Sequence, residues 1–217
     1  MIVVAGAGGS LGPYVARALD DAGHDLCCCD ADRSRLEGLP GELHAVDLLD
    51  EAATRDWAAS LEGVTGVVHL VGGWRGGTPL PEAPLEDWAL LHDLLVRTVQ
   101  HTTRAFAPAL KAAGERGRFV IVSSRQAQAP TSTNAAYAAA KAAAEAWTLA
   151  YADELAQTRG TANILVVNAI VTDEMRAANP DKEYRTFTHA RDMAGALAWL
   201  VSDASAAMNG QRLSLHG

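Results

Sequence analysis

The amino-acid sequence predicts an α/β fold, a doubly wound parallel sheet of about seven strands with helices on both faces. Short runs of β-branched and other apolar residues alternate with longer segments rich in Ala and Leu, which is the order expected of repeated strand–helix–strand units. The short runs are continuously apolar, as parallel strands buried on both faces should be. At 217 residues, the chain has the length of one domain, and we expect residues 1–217 to form a single one.

The predicted elements follow one another along the whole chain. Strands are predicted at residues 2–5, 25–29, 43–46, 66–70, 118–122, 164–168 and 211–215. Helices are predicted at residues 11–22, 33–37, 51–60, 85–113, 134–158 and 189–202. Pro108 should kink or end the fourth helix, because proline cannot continue the backbone hydrogen bonding of a helix. The Gly- and Pro-rich segment 72–84 is expected to be a loop at the carboxyl edge of the sheet, where open α/β folds bind ligands.

Composition and charge narrow the classes of partner. The formal net charge of −8 argues against nucleic acid, whose phosphates attract a clustered excess of Lys and Arg, and favours a small-molecule ligand. Cys27, Cys28 and Cys29 are consecutive in an apolar run, so we expect buried, reduced thiols and no metal site. The longest apolar stretch is far shorter than the roughly 20 residues of a membrane span, and no signal peptide is recognisable. A cytoplasmic protein without membrane contact is expected.

A glycine-rich turn follows the first predicted strand and leads into the first helix, which is where a dinucleotide-binding turn must lie. Gly6, Gly9 and Gly12 give the spacing G-x-x-G-x-x-G. Ser10 and Leu11 also allow the pattern G-x-x-x-small-x-G. Glycines let the backbone approach a pyrophosphate, and the amides and dipole of a helix start favour its negative charge. We expect this turn to bind dinucleotide phosphates; the alternative is a purely structural turn.

Asp30 ends the second strand segment, 24 residues after Gly6. A carboxylate there can accept hydrogen bonds from the hydroxyl groups of an adenosine ribose. It favours NAD over NADP, because a 2′-phosphate beside a carboxylate would be repelled. Arg33 could instead bind such a phosphate, and Arg35 is the less favoured candidate for that contact. NADP is therefore the alternative cofactor.

Tyr137 and Lys141 are four residues apart in a strongly helical segment, so their side chains lie on one face. A nearby ammonium group favours the phenolate and should lower the tyrosine pKa from its usual value of about 10 towards the range useful in acid–base catalysis. Ser124 lies 13 residues before Tyr137 at the end of the fifth strand. There its hydroxyl and that of Tyr137 could both face the carbonyl oxygen of a substrate. Ser123 is the alternative serine.

These motifs, in this order, resemble those of the short-chain dehydrogenases/reductases over essentially the whole chain. The matching segments are the glycine-rich turn, Asp30, Val-Ser-Ser at 122–124, Tyr-Ala-Ala-Ala-Lys at 137–141, Val-Asn-Ala-Ile at 167–170 and Asn-Gly-Gln at 209–211. The resemblance implies a Rossmann fold and an NAD(P)-dependent oxidoreductase that acts on a small ketone, aldehyde or alcohol. It also implies that Tyr137 exchanges the proton, Ser124 hydrogen-bonds the substrate oxygen and Lys141 holds the nicotinamide ribose.

The resemblance extends to contacts outside these motifs. It places Asp47 and Leu48 beside the adenine, with a solvated loop as the alternative for Asp47. It leaves Gly72 as the one clear remnant of a family motif that follows the fourth strand. Tyr137 and Lys141 complete the predicted cofactor site. Related enzymes pair through helices equivalent to the two long ones here, so a homodimer or homotetramer is expected.

Departures from the family pattern concern the chemistry. Leu95 occupies the position at which the family usually has an Asn that organises a proton relay, and His92 is the candidate replacement. No Pro-Gly pair follows Ile170, and only residues 171–188 remain to cover the substrate. Thr172 is a candidate contact for the nicotinamide carboxamide. Two other functions therefore stay open: a non-catalytic, dinucleotide-binding regulator, and a non-redox enzyme such as an epimerase, dehydratase or cyclase.

Overall fold

The fold is built on parallel strands connected by helices, and the computed structural model describes residues 1–215. The strands are β1 (Ile2–Ala5), β2 (Leu26–Asp30), β3 (Glu42–Ala45), β4 (Gly66–His69), β5 (Arg118–Ser124), β6 (Thr161–Val167), β7 (Ala169–Val171), β8 (Phe187–His189) and β9 (Arg212–Ser214). The α-helices are α1 (Gly12–Asp21), α2 (Glu51–Ser60), α3 (Glu86–His92), α4 (Thr98–Ala112), α5 (Ala135–Ala156), α6 (Asp173–Ala178) and α7 (Ala190–Leu200). Within residues 1–215, none of the helices has the length and apolar character needed to cross a membrane.

The strand order explains where a ligand can bind. Seven strands form one parallel sheet in the order β3-β2-β1-β4-β5-β6-β9. The chain moves outward from β1 to β3 and then returns to the other side of β1 with β4. At this change of direction, the connections after β1 and β4 separate and open a crevice at the carboxyl ends of the strands. The predicted doubly wound α/β fold is confirmed.

Both faces of the sheet are buried, because successive side chains of a strand point to opposite sides. On one face, Val3, Val67 and Phe119 share a buried cluster with side chains of α2, α4 and α5. On the other face, Val4 and Val120 share a cluster with side chains of α1 and α7. The helices therefore cover the sheet from both sides and leave the carboxyl edge as its open border.

The three cysteines follow the same alternation. Cys27 and Cys29 belong to the first cluster and Cys28 to the second, and all three are buried, free thiols. Burial raises the pKa of Cys27 to about 12 and that of Cys28 to about 11. Thiols in this state are packing groups rather than nucleophiles at neutral pH.

Parts of the fold differ from the prediction. The segment predicted as a helix at 33–37 is a 3₁₀-helix, Arg33–Leu36. The long helix predicted at 85–113 is interrupted by a π-helical turn, Asp93–Arg97, between α3 and α4. Pro108 lies inside α4, which ends four residues later. Strands β7 and β8 form a separate parallel pair that was not predicted, because three residues are too few to show a strand pattern.

Candidate active site

A cleft of about 1050 Å³ opens around the carboxyl ends of β1, β4 and β5. Its volume lies at the upper end of the roughly 300–1,000 Å³ of ligand pockets, so it has room for a long ligand. Twelve of the residues predicted for the site line it: Gly6, Gly9, Ser10, Leu11, Gly12, Asp30, Asp47, Leu48, Gly72, Ser124, Tyr137 and Lys141. The fold therefore brings the glycine-rich turn and the Ser–Tyr–Lys group, which are far apart in sequence, to one cleft.

The turn after β1 presents bare backbone to the cleft. Gly6 has a φ of +78°, and a Cβ atom there would lie 2.8 Å from the backbone nitrogen of Val71. A Cβ atom on Gly12 would lie 1.9 Å from the carbonyl oxygen of Ala7, so both positions require glycine. Leu11 precedes α1 and provides no side-chain cap. The positive end of the helix dipole is therefore open to an anion, and the turn fits a pyrophosphate.

Asp30 holds its carboxylate at the cleft wall. One oxygen accepts a hydrogen bond from the N–H of Gly8 (3.2 Å), and the other accepts one from the N–H of Asp32 (3.1 Å). Arg35 lies 3.7 Å from this carboxylate and also lines the cleft. The guanidinium of Arg33 instead donates to a backbone carbonyl of β3 (2.6 Å). Arg35, rather than the favoured Arg33, is therefore the cation beside Asp30.

Asp47 and Leu48 lie on the loop that follows β3. The carboxylate of Asp47 accepts a hydrogen bond from the N–H of Leu49 (2.9 Å), which shapes the loop. Leu48 is buried, and its carbonyl oxygen lies 2.9 Å from Nδ1 of His101. The loop is thus fixed at the border of the cleft, and its contact with an adenine stays a prediction.

Ser124, Tyr137 and Lys141 meet at the end of β5. Tyr137 and Lys141 lie one turn apart on α5, and Ser124 is the last residue of the strand. The buried ammonium of Lys141 donates to the carbonyl oxygen of Val122 (2.7 Å). The hydroxyl of Ser123 is bonded to a carboxylate on α5 (2.6 Å). Ser124, which hydrogen-bonds Tyr137, is therefore the serine beside that residue.

Burial governs the protonation of this group. It raises the pKa of Tyr137, and hydrogen bonding by Ser124 opposes part of that shift. Burial lowers the pKa of Lys141 to about 8, and the carboxylate of Glu145 opposes that shift. The expectation that the pKa of Tyr137 lies below its usual value is wrong, because burial has the larger effect. At neutral pH, Tyr137 is a protonated phenol.

Leu95, at the position where the family usually has an Asn, lies in the π-helical turn between α3 and α4. In the π turn, the N–H of Thr98 bonds to the carbonyl of Asp93, and the Thr98 hydroxyl donates to the carbonyl of Leu94 (2.7 Å). Leu94 and Thr98 line the cleft, whereas Leu95 is buried in an apolar cluster. His92 lies 3.5 Å from Asp93, outside the cleft lining. His92 therefore does not take the place of the missing Asn.

Thr98 connects the cleft with a buried histidine. Because its own proton is donated to Leu94, its hydroxyl accepts the hydrogen bond from Nε2 of His69 on β4 (3.1 Å). Nδ1 of His69 has no hydrogen-bond partner among residues 1–215. Burial and the charge of Lys141 lower the pKa of His69 to about 3, so the ring is neutral. Over the same residues, no cluster of His, Cys, Asp and Glu could hold a metal ion.

Some residues of the cleft lining were not predicted. Trp74, on the loop after β4, donates its indole N–H to the side chain of Asn134 (2.9 Å), just before α5. Met175 on α6 and Phe187 on β8 add apolar surface, and Gln126 adds an amide. Among these residues, the sequence gives an indication only for Trp74, which lies in a Gly-rich loop predicted at the carboxyl edge of the sheet. None of these five side chains is charged.

The segment between β7 and β8, residues 172–186, borders the cleft through Met175 and is attached to neighbouring helices. We call this segment the cover. The hydroxyl of Thr172 accepts a hydrogen bond from the N–H of Met175 (3.2 Å) and so caps α6. Thr172 is outside the cleft lining, which leaves its predicted contact without support. The carboxylate of Asp173 accepts hydrogen bonds from Tyr14 on α1 (3.1 Å) and Arg191 on α7 (2.7 Å). The cover is therefore attached to the helices beside the glycine-rich turn.

Known proteins share both the sequence pattern and the fold. A family model described as "Enoyl-(Acyl carrier protein) reductase" matches residues 6–217. An uncharacterized oxidoreductase of Mycobacterium tuberculosis strain H37Rv is 29% identical over an alignment of 246 residues, which covers 100% of this chain and 89% of that protein. A short-chain dehydrogenase of Pseudocercospora fijiensis is 29% identical over 170 residues, 72% of this chain and 55% of that protein.

Solved structures agree in fold. A short-chain oxidoreductase of Pseudomonas aeruginosa PAO1, described as containing an atypical catalytic center, has a TM-score of 0.86 at 22% identity, over 98% of this chain and 94% of that chain. A gluconate 5-dehydrogenase of Burkholderia cenocepacia J2315, in complex with NADP and tartrate, has a TM-score of 0.83 at 23% identity, over 99% of this chain and 92% of that one. Fold and sequence together define an oxidoreductase with a Rossmann-type fold. The chain belongs to the short-chain dehydrogenase/reductase family.

The hydroxyl of Thr98 can be tested without a substrate. Thr98→Val keeps the shape of the side chain but leaves the carbonyl of Leu94 and Nε2 of His69 without this partner. We expect the free energy of unfolding to fall by about 1–3 kcal/mol, the usual cost of unsatisfied buried polar groups. Urea denaturation followed by circular dichroism measures the change.

Thr102→Val, one turn further along α4, is the matched control. The hydroxyl of Thr102 is buried and has no hydrogen-bond partner among residues 1–215. Its removal should leave the free energy of unfolding unchanged or raise it slightly, because no bond is lost. Equal losses in the two variants would show that the Thr98 bridge contributes nothing.

Proposed function

We propose that the protein is an NAD(P)-dependent oxidoreductase that interconverts a small ketone or aldehyde and its alcohol, with Tyr137 as acid and base. The observation that carries the proposal is the meeting of Ser124, Tyr137 and Lys141 in the same cleft as the glycine-rich turn. Membership of the family supports it. A regulator would need the turn but not the three polar side chains at the end of β5.

Two features of the cleft support a nicotinamide dinucleotide as the cofactor. The uncapped start of α1 suits a pyrophosphate, and the carboxylate of Asp30 suits the hydroxyl groups of a ribose. The residues proposed to hold the cofactor are Gly6, Gly9, Ser10, Leu11, Gly12, Asp30, Asp47, Leu48, Gly72, Tyr137 and Lys141. When bound, the dinucleotide would donate or accept the hydride.

The protein's own side chains control charge on the substrate oxygen. The phenol of Tyr137 donates a proton to the carbonyl oxygen during reduction and removes it during oxidation. The hydroxyl of Ser124 hydrogen-bonds the same oxygen and stabilises the charge that develops there. Lys141 carries a positive charge below about pH 8, the value to which burial brings its pKa. That charge stabilises the phenolate left on Tyr137.

The distribution of charge along the cleft favours an uncharged substrate. The charged side chains that line it are Asp30, Arg35, Asp47 and Lys141, and the first three lie in the part proposed for adenosine. The part proposed for the substrate holds Trp74, Met175 on α6 and Phe187 on β8, and the amides of Gln126 and Asn134 are available there for polar contacts. We therefore propose a neutral ketone or alcohol with an apolar body, because the cation in this part of the lining, Lys141, already donates to the carbonyl of Val122 and no other would pair with a phosphate or carboxylate.

Asp30 also supports NAD as the preferred cofactor. Its carboxylate is held at the cleft wall by two backbone N–H groups, so it cannot turn away from a ribose without losing both bonds. Arg35 is the opposing influence, since a cation at that place could bind a 2′-phosphate. The Burkholderia cenocepacia enzyme of similar fold was solved with NADP. The opposing effects of Asp30 and Arg35 on the preference for NAD or NADP are therefore the point to test.

Replacing Tyr137 by Phe tests the proposed chemistry. Tyr137→Phe should lower kcat/KM for carbonyl reduction by at least about 10²-fold, the usual contribution of a general acid. Cofactor affinity, followed by nicotinamide fluorescence, should remain within about twofold because little binding surface is lost.

The proposed substrate class is tested with the wild-type protein. Loss of absorbance of the reduced cofactor should be screened with neutral ketones and with carboxylate-bearing analogues, and the neutral compounds should react better.

Tyr151→Phe is the control for Tyr137→Phe. Tyr151 lies on the same helix, and its buried hydroxyl has no hydrogen-bond partner among residues 1–215. This variant should retain wild-type kcat/KM. Full activity of Tyr137→Phe would refute the proposed role. Cofactor binding by the wild type without turnover of any carbonyl compound would indicate a regulator, and turnover without net cofactor consumption would indicate a non-redox enzyme.

Cofactor preference should respond to the two side chains in opposite ways. The wild type should bind NADH more tightly than NADPH. Asp30→Ser should move the ratio of the two dissociation constants towards NADPH by about tenfold, because the repulsive carboxylate is lost while Arg35 remains. Arg35→Gln should weaken NADPH binding and leave NADH binding nearly unchanged. Tighter NADPH than NADH binding by the wild type would contradict the role given to Asp30.

We also propose a homodimer or homotetramer that forms through α4 and α5. Trp147 on α5 is 38% exposed, and the small side chains of Ala139, Ala146 and Ala150 are exposed on the same helix. A large apolar side chain among alanines suits close packing against another helix. Sedimentation velocity should give at least twice the chain mass of 22.8 kDa, and Trp147→Glu should weaken association. A monomer at every concentration would refute this.

A further inference from the structure

A buried carboxylate lies beneath the Ser–Tyr–Lys group and has no part in the chemistry proposed above. Glu145 is 2% exposed and lies one turn after Lys141 on α5. One of its oxygens accepts a hydrogen bond from the hydroxyl of Ser123 (2.6 Å), and the other accepts one from the guanidinium of Arg212 on β9 (2.6 Å). A carboxylate at this depth depends on such partners, because an unpaired buried charge is costly.

The position of Glu145 connects three elements at the site. Tyr137, Lys141 and Glu145 occupy positions i, i+4 and i+8 of α5, so they lie along one face. Ser123, the partner of Glu145, lies between the residue whose carbonyl binds Lys141 and the serine of the site. The bond from Ser123 therefore joins the helix to the end of β5 at the centre of the Ser–Tyr–Lys group, and Arg212 extends the connection to β9.

We propose that Glu145 is a positioning residue that keeps Lys141 charged and holds the end of β5 against α5, and that Arg212 limits the negative charge that Lys141 experiences. The inference rests on the proposed function, in which the charge of Lys141 stabilises the phenolate of Tyr137. Neither Glu145 nor Arg212 lines the cleft, so both act through other side chains.

The groups around Lys141 define the expected effects. On α5 they are Tyr137, which is neutral at working pH, and Glu145, whose charge opposes the effect of burial on the Lys141 pKa. On β4, His69 is neutral because its pKa is about 3. On β5 the contact is a backbone carbonyl. On β9, Arg212 neutralises part of the charge of Glu145, and its side chain is 40% exposed.

Two substitutions should therefore shift the titration of Lys141 in opposite directions. Glu145→Gln removes the anion and leaves Arg212 as an uncompensated cation, so the midpoint should move below the wild-type value by about one pH unit. Arg212→Gln leaves the anion less neutralised, so the midpoint should rise. This rise should be smaller, roughly half a unit, because a partly exposed charge is screened by solvent.

The lysine side chains can be titrated individually in the full-length protein. The chain contains three lysines, Lys111, Lys141 and Lys182, so ¹³C-lysine labelling gives three Cε signals, and Lys141→Arg assigns the one of interest. The wild-type signal should titrate near pH 8. Signals of Lys111 and Lys182 serve as internal controls and should keep their midpoints in both variants.

Midpoints that move in opposite directions would support the proposal. Unchanged midpoints, or shifts in the same direction, would overturn it, since a merely structural role predicts loss of stability without opposite shifts. Arg212→Gln alters an exposed side chain and still decides the question if Glu145→Gln does not fold. The titration needs no substrate, so failure of the proposed chemistry in Tyr137→Phe is recorded separately. With an active enzyme, the alkaline limb of kcat/KM should follow the same shifts.

Discussion

The arrangement of the site depends on the hydrogen bond between the ammonium of Lys141 and the carbonyl of Val122. Strand β4 pairs with β5 only as far as Ile121, whereas β5 continues beside β6 to Ser124. The longer strand therefore extends past one neighbour and offers a backbone acceptor on that side. A buried ammonium must find such an acceptor. By binding this one, it fixes α5 along the strand and sets Tyr137 beside Ser124.

The burial of Lys141, which makes this hydrogen bond necessary, also affects the protonation of the neighbouring side chains. The same low-dielectric surroundings lower the pKa of Lys141, raise that of Tyr137 and keep His69 neutral. A phenol that is protonated at neutral pH is prepared to donate a proton, which suits reduction of a carbonyl more than oxidation of an alcohol. In the proposed reaction, the raised pKa of Tyr137, which follows from the packing of α5, therefore favours the reductive direction.

Features that depend on local sequence could be predicted, and features that depend on the path of the chain could not. The apolar strands, the glycine-rich turn and the Tyr137–Lys141 spacing each lie within a few residues, so periodicity and backbone geometry reveal them. The bond between Trp74 and Asn134 joins residues 60 apart, and no local pattern encodes it. The π turn at Leu95 and the raised pKa of Tyr137 were missed because both arise from tertiary packing rather than from sequence neighbours.

The cover is anchored to other elements than the loop that carries Trp74. Asp173 at the start of α6 is bonded to Tyr14 on α1 and to Arg191 on α7, and His189 lies 3.2 Å from it. Helix α1 is also the helix whose start faces the proposed pyrophosphate, so the cover and the cofactor half form one connected unit. The loop with Trp74 is attached instead to the residues before α5. Under the proposed function, the spacing between the cover and this loop limits the size of the substrate, and the half-exposed Trp74 borders that space.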